Sequence, residues 1–194
     1  MLSENGTKYK ADVNPGMTNE FATAVFRFAH SMIQGIVQTF ATNNAGKLGQ
    51  YQLSKNFFNS ETYELKMEQI IMGLLNQPAQ TFDKEVTTQV TNKLFPEEQT
   101  SLHGTDLVAR NIQRGRDHGL PGFCCYYQKF QDPDFDCFQG WQTRYEGFSE
   151  EDWTQLKNVY NCPSDIDLFI GGLVQTPPTN GGVTGDVFNK MKGN

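Results

Sequence analysis

Apolar positions recur at helical spacing along most of the chain. From Asn19 to Phe40, placing residues about 100° apart gathers Phe21, Val25, Phe28, Met32 and Ile36 within about 80°. Ala29, Ile33 and Val37 widen that face to roughly half the circumference, the signature of a mostly buried helix. Residues 61–76 carry Tyr63, Leu65, Met67, Ile70, Ile71, Leu74 and Leu75 at mixed three-and-four spacings and stop before Pro78, which predicts a second helix. A weaker one is expected over 80–94, ended by Pro96. Asp106 is placed to cap a helix running to His118, with Gly119 past its end and Pro121 closing it. Ser149-Glu150-Glu151-Asp152 puts acidic residues in the first turn of a helix over 149–160, where the helix dipole favours them. From Gly171 onward Gly, Pro and Thr dominate, which reads as loop. The pattern shows no internal repeat and no convincing hairpin, so the expected fold is mainly α with long loops.

Length and charge narrow the function classes. The 194 residues suffice for one domain with a real core, and 15 Phe supply bulky side chains to fill it. No apolar run approaches the ~18 residues a membrane span needs; the longest, Ile70 to Leu75, is interrupted by Gly73. A net charge of -6 argues against nucleic acid as partner, because phosphate binding calls for a basic surface. Met1 to Asn5 has neither the basic nor the apolar region of a signal peptide, so the chain is expected to be cytosolic or to begin inside a longer precursor. Asn5-Gly6-Thr7 fits the glycosylation sequon. The four cysteines, at 124, 125, 137 and 162, allow three complete pairings, and spacing does not choose among them beyond disfavouring the adjacent pair.

Two constellations carry candidate chemistry. His30 falls on the margin of the first helix's apolar arc, with Arg27 at i, i−3 spacing beside it. A neutral imidazole next to a fixed cation suits an iron ligand facing an anionic cofactor edge. From these residues alone, the simpler account is a core-margin histidine bonded to a carbonyl, with Arg27 reaching solvent. In the run from Leu107 to Gly119, residues Leu107, Asn111, Arg114 and His118 share a face. Asn111 offers an amide oxygen able to accept from a histidine Nδ1–H, and Arg114 a planar fork for a carboxylate. A solvated basic face formed by Arg110, Arg114 and Arg116 accounts for the same residues. Gly115 costs the helix about 1 kcal/mol against Ala, which suggests a close approach to the backbone there. Asp132, Asp134 and Asp136 space like calcium-loop ligands, but Cys137 stands where glycine is required and Thr143 where the closing Glu belongs, so they read as a solvated loop.

Three blocks in order give a family resemblance. Asn14-Pro15-Gly16-Met17-Thr18-Asn19-Glu20-Phe21 through Phe28-Ala29-His30-Ser31 resembles the proximal helix of animal haem peroxidases. Ala109-Arg110-Asn111-Ile112-Gln113-Arg114-Gly115-Arg116-Asp117-His118-Gly119-Leu120-Pro121-Gly122 is very similar to that family's most recognisable motif. Asp165-Ile166-Asp167-Leu168-Phe169-Ile170-Gly171-Gly172 matches a third block. The resemblance implies part of an all-helical peroxidase domain, with residues 1–194 as its proximal half, secreted, and using a b-type haem. It implies His30 as axial iron ligand, Asn111 as the partner of its Nδ1, and Arg27 and Arg114 near the haem propionates. Hydrogen peroxide and a small-molecule or protein-side-chain donor are the implied substrates. The chain departs from the family in having Ala29 where Gly is usual before the ligand, and Gly185-Asp186-Val187-Phe188 in place of a Gly-Pro-Thr-Phe-like run. No match to the distal His and Arg is identifiable, so no catalytic residue is assigned. Calcium belongs to the family's fuller domain, with no site expected in these residues. His118 reads as a helix-end contact, and His103 has no role. The chain is expected to be a peroxidase part with little turnover alone, able to associate through a face left open, or else a non-catalytic haem-binding remnant.

Overall fold

The computed structural model describes residues 9–43, 45–97, 103–179 and 181–192. The sequon at Asn5 and the first residues of the chain lie outside them. The first long helix expected from the pattern does not form. In its place come a short helix α1 (Asn19–Thr23), a 3-10 turn (Val25–Met32) and a strand β1 (Ile36–Phe40). Ala24, at φ -124 and ψ -60, breaks the first junction, and the extended Ile33 breaks the second. The apolar arc runs across Gly35 into a stretch whose β-branched Ile36, Val37 and Thr39 suit a pleated surface. β1 pairs antiparallel with β2 (Lys47–Gln52), with Ile36 opposite Gln52 and an irregularity at Thr39/Phe40. This corrects the expectation of no hairpin. Gly46, at φ +116, lies in the connection, a conformation that favours glycine.

Helix α2 (Ser60–Asn76) lies on β1. Gly73 makes that approach possible, since a Cβ there would come within 1.8 Å of the Gln38 carbonyl oxygen. Of the weaker helix over 80–94 only α3 (Thr88–Thr91) forms, capped by Thr87. The other capped helices match their sequence signals. Asp106 Oδ1 accepts from the Val108 and Ala109 amides to start α4 (Leu107–Asp117), and Gly119 takes φ +64 beyond its end. Ser149 Oγ accepts from the Asp152 amide to start α6 (Glu150–Lys157).

The core is built from elements that the pattern left unassigned. These are α5 (Phe123–Phe130), α7 (Leu168–Val174) and α8 (Asp186–Lys192); the last two overturn the reading of everything after Gly171 as loop. Gly171 and Gly172 are contact points within α7: Cβ atoms there would meet the buried rings of Phe123 at 2.2 Å and Phe188 at 2.0 Å. Around them Phe123, Tyr127, Phe135, Tyr145, Phe148 and Trp153 form a buried aromatic cluster. Its close pairs have centroids 4.8 to 5.4 Å apart, within the favourable range for tilted and edge contacts. Cys124 and Cys137 form a disulfide that ties α5 to the following loop, while Cys125 and Cys162 are free thiols. No helix among the described residues is long and apolar enough to cross a membrane.

Candidate functional site

The 3-10 turn changes the geometry around His30. With about three residues per turn, Arg27 and His30 stack on one face where a regular helix would splay them. The Arg27 guanidinium is fixed at both ends: Nε donates to the Thr23 carbonyl at 2.8 Å, and Nη1 donates to Asn111 Oδ1 at 3.2 Å. Asn111, 1% exposed, projects from α4 toward the turn. Its Nδ2 lies 2.7 Å from His30 Nδ1. Arg114 sits one turn further along α4, exposed. The structure therefore brings Arg27, His30, Asn111 and Arg114 together where the 3-10 turn meets α4.

The amide runs opposite to the expected sense. Arg27 has only donors, so it claims the Asn111 oxygen and leaves the NH2 group facing His30. In this arrangement Nδ1 is an acceptor, and the ring proton belongs on Nε2. An iron-binding imidazole needs the reverse tautomer, with Nδ1–H donating to the amide oxygen. A half-turn of the Asn111 amide would supply it, provided the Arg27 donor found another acceptor.

Electrostatics describe the charge around the site. Burial first, and the neighbouring Arg114 second, lower the pKa of Arg27. Among the described residues no carboxylate lies within ion-pair distance of either guanidinium, the ion pairs being formed by Lys84, Arg116 and Arg144. Two cations that repel each other without a carboxylate partner among the described residues, one of them beside His30, suit a ligand carrying carboxylates. His30 is itself held below the ordinary imidazole value of 6.5, mainly by burial and then by Arg27, and among the described residues its Nε2 makes no hydrogen bond. The residues present fit haem.

The depressed His30 pKa has a pH consequence. Between the folded and unfolded pKa values the unfolded chain binds more protons, so stability falls as pH drops below about 6.5 and through the folded value. We expect denaturant midpoints measured from pH 7.5 to 5 to fall more steeply for the wild type than for His30→Gln. Parallel curves would mean that the ring titrates as in the unfolded chain.

The other histidines are engaged elsewhere. His118 ends α4, and its Nδ1 lies 2.8 Å from Asn19 Oδ1 and 3.3 Å from Thr23 Oγ, while its carbonyl accepts from Asn19 Nδ2. This helix-end contact pins α4 to α1. The His103 ring meets Asn92 Oδ1 at 3.2 Å. The expected close approach at Gly115 is absent among the described residues: a Cβ there would meet only Leu120, at 3.9 Å. Asp132 and Asp136 accept from the amides of Asp134 and Phe138, turning onto their own loop. Sequence reading missed Asp167 and Tyr160, which grip α4 through Arg116. An aspartate just before an apolar helix was a legible cap signal for Asp167, but nothing local pointed to Arg116.

Comparison with known proteins places this arrangement in a family. Residues 1–194 match the animal haem peroxidase family, and the chain belongs to it. It is 32% identical to heme peroxidase 2 of Caenorhabditis elegans, over 95% of this chain and 27% of that protein. It is 35% identical to peroxidasin of Drosophila melanogaster, over 93% of this chain and 12% of that one. The fold is similar to peroxidase A of Dictyostelium discoideum, with a TM-score of 0.77 and 28% identity, covering 96% of this chain and 35% of that one. The chain thus spans about a quarter or less of these two curated relatives' length.

Proposed function

We propose that this chain is the iron-binding side of a haem peroxidase, with His30 as the ligand to a b-type haem. The observation that carries this reading is the half-buried, neutral His30 beside Arg27, which with its neighbour Arg114 has no carboxylate partner among the described residues. When bound, haem supplies the redox chemistry by which hydrogen peroxide is reduced and a small-molecule or protein-side-chain donor oxidised. The chain's own residues have separate tasks. Arg27 and Arg114 would hold the carboxylate edge of the haem, and Asn111 would orient His30 by accepting from its Nδ1–H, a bond that would fix the tautomer and make the ring a stronger electron donor. The Cys124–Cys137 disulfide supports an oxidising, extracellular setting.

Peroxide activation also needs a base to move a proton between the oxygens and a cation to stabilise the developing charge. His118 turns its Nδ1 to Asn19 and Thr23 at the end of α4 and His103 turns its Nδ1 to Asn92, and we assign neither to that base. We therefore expect residues 1–194, loaded with haem, to give a ligand-dependent haem spectrum with turnover close to that of free haem at equal iron. Failure to bind haem above a non-specific protein control would sink the proposal. Turnover far above free haem, lost in His30→Ala, would show that the peroxide-activating groups lie within these residues.

A further inference from the structure

Asp167 immediately precedes α7, and both of its oxygens are engaged. Oδ1 accepts from Arg116 Nε at 2.9 Å and Oδ2 from Arg116 Nη2 at 2.7 Å, a two-point fork. Oδ2 also accepts from the Tyr160 hydroxyl at 2.8 Å. The Asp167 side chain is 13% exposed and that of Arg116 57%, so the carboxylate is the buried end of a pair whose cation reaches solvent, and the two-point geometry and the Tyr160 bond are what fix it. Burial, then the bond to Asp167, raises the Tyr160 pKa, which keeps its hydroxyl a donor.

The position of this cluster gives it a task. α7 packs against both α4 and the 3-10 turn that carries Arg27 and His30. α4 in turn reaches that turn through Asn111. The three elements close a triangle whose α4–α7 side is not packed solid. A cavity of about 410 Å³ lies there, lined by Asn111, Gly115, Arg116, Tyr160, Asp167 and Phe169 among others. Close packing fixes an element because displacement costs contacts, and an open cavity withdraws that restraint. Polar contacts across it must then set the spacing.

We propose that Arg116, Asp167 and Tyr160 form a positioning clamp that holds α4 across this cavity and keeps Asn111 on His30. The proposal rests on the reading of His30 as haem ligand. None of the three touches the ligand pair, so all act through Asn111.

The test compares Asp167→Asn, Arg116→Lys and Tyr160→Phe with wild type, in residues 1–194. Without haem, exchange of the Asn111 side-chain amide protons is followed by NMR, alongside the unfolding midpoint. With haem, affinity and reduction potential are measured. Asp167→Asn should speed Asn111 amide exchange about tenfold, weaken haem binding about tenfold and raise the potential, as expected when a histidine ligand loses its hydrogen-bonded support. Tyr160→Phe should do the same to a smaller extent, and Asp167→Glu should restore part of the loss. If Asp167→Asn fails to fold, Arg116→Lys and Tyr160→Phe decide by the same readouts. A lowered unfolding midpoint with wild-type Asn111 exchange, affinity and potential would overturn the clamp as a positioning device. If the wild type itself binds no haem, the functional reading fails, while Asn111 exchange still decides the clamp.

Discussion

His30→Ala should abolish the Soret band of specifically bound haem, whereas His118→Ala should leave it largely intact. The two residues divide cleanly by their surroundings. His30 has its Nδ1 tied back to Asn111, and its neutral form is favoured by burial and by Arg27. His118 commits Nδ1 to Asn19 and Thr23 at the end of α4. Losing His118 removes a tether between α1 and α4, and its expected cost is about the 1 kcal/mol of an ordinary hydrogen bond. Losing His30 removes the imidazole beside Arg27, which has no carboxylate partner among the described residues. Haem titrations of both variants, read at the Soret maximum against wild type, check the assignment. A band lost in His118→Ala and kept in His30→Ala would reassign the ligand.

Gly172→Ala should destabilise the chain by about 2 kcal/mol or more, against the direction that helix propensity alone predicts. Glycine to alanine inside a helix ordinarily gains about 1 kcal/mol. At Gly172, however, the added methyl group would lie 2.0 to 2.5 Å from three atoms of the fully buried Phe188 ring. That ring has no free volume to retreat into, and overpacking of this kind costs about 1–3 kcal/mol or more. The steric term wins, and α8 should lose its seat on α7. Gly115→Ala is the matched control. It lies in α4 with only Leu120 nearby at 3.9 Å, so the propensity gain should survive there as a neutral to slightly stabilising change. Denaturant midpoints of the two variants test the argument, and equal effects would contradict it.

These two glycines also show where the sequence misleads. A Gly-Gly pair after Ile170 looks like a helix stop, yet here it is what allows α7 to meet two phenylalanine rings. The value of glycine at that position depends on neighbours 48 and 16 residues away, Phe123 and Phe188. Short-range patterning cannot register that. The long apolar arc from Asn19 misleads for a related reason: Ile33, Ile36 and Val37 fit a helical period, yet β-branched Ile36, Val37 and Thr39 also suit a strand, and pairing with β2 and contact with α2 favour the strand. α5 went unassigned because Phe123 to Phe130 is apolar on several sides and carries no side-chain cap. What the sequence did convey was local. Asp106, Ser149 and Gly119 each act within one turn, and their helices start or stop where those residues stand. The candidate site was legible only through the order of three family blocks, because the four residues come from segments more than 80 positions apart. The grip of Asp167 on Arg116, 51 residues apart, lay beyond both kinds of reading.

The hairpin and α2 have a consequence for how unfolding should be interpreted. Gly73 seats α2 on β1, and Gln77 adds bonds to the backbone of Ile36 and Gln38. Bonds from this unit to the rest are largely polar and peripheral: Gln80 to Met32, Gln34 to Pro78, and Ser54 to Gln89. Its outer side leaves Met67, Ile71, Leu74 and Leu75 exposed, so little apolar burial couples it to the aromatic core. Such a unit is expected to open as a separate cooperative block, at a lower free energy than the body around α5 and α7. Amide exchange should then show faster opening in the hairpin and α2 than in the body that carries His30 and Asn111, and a single melting temperature would average the two events.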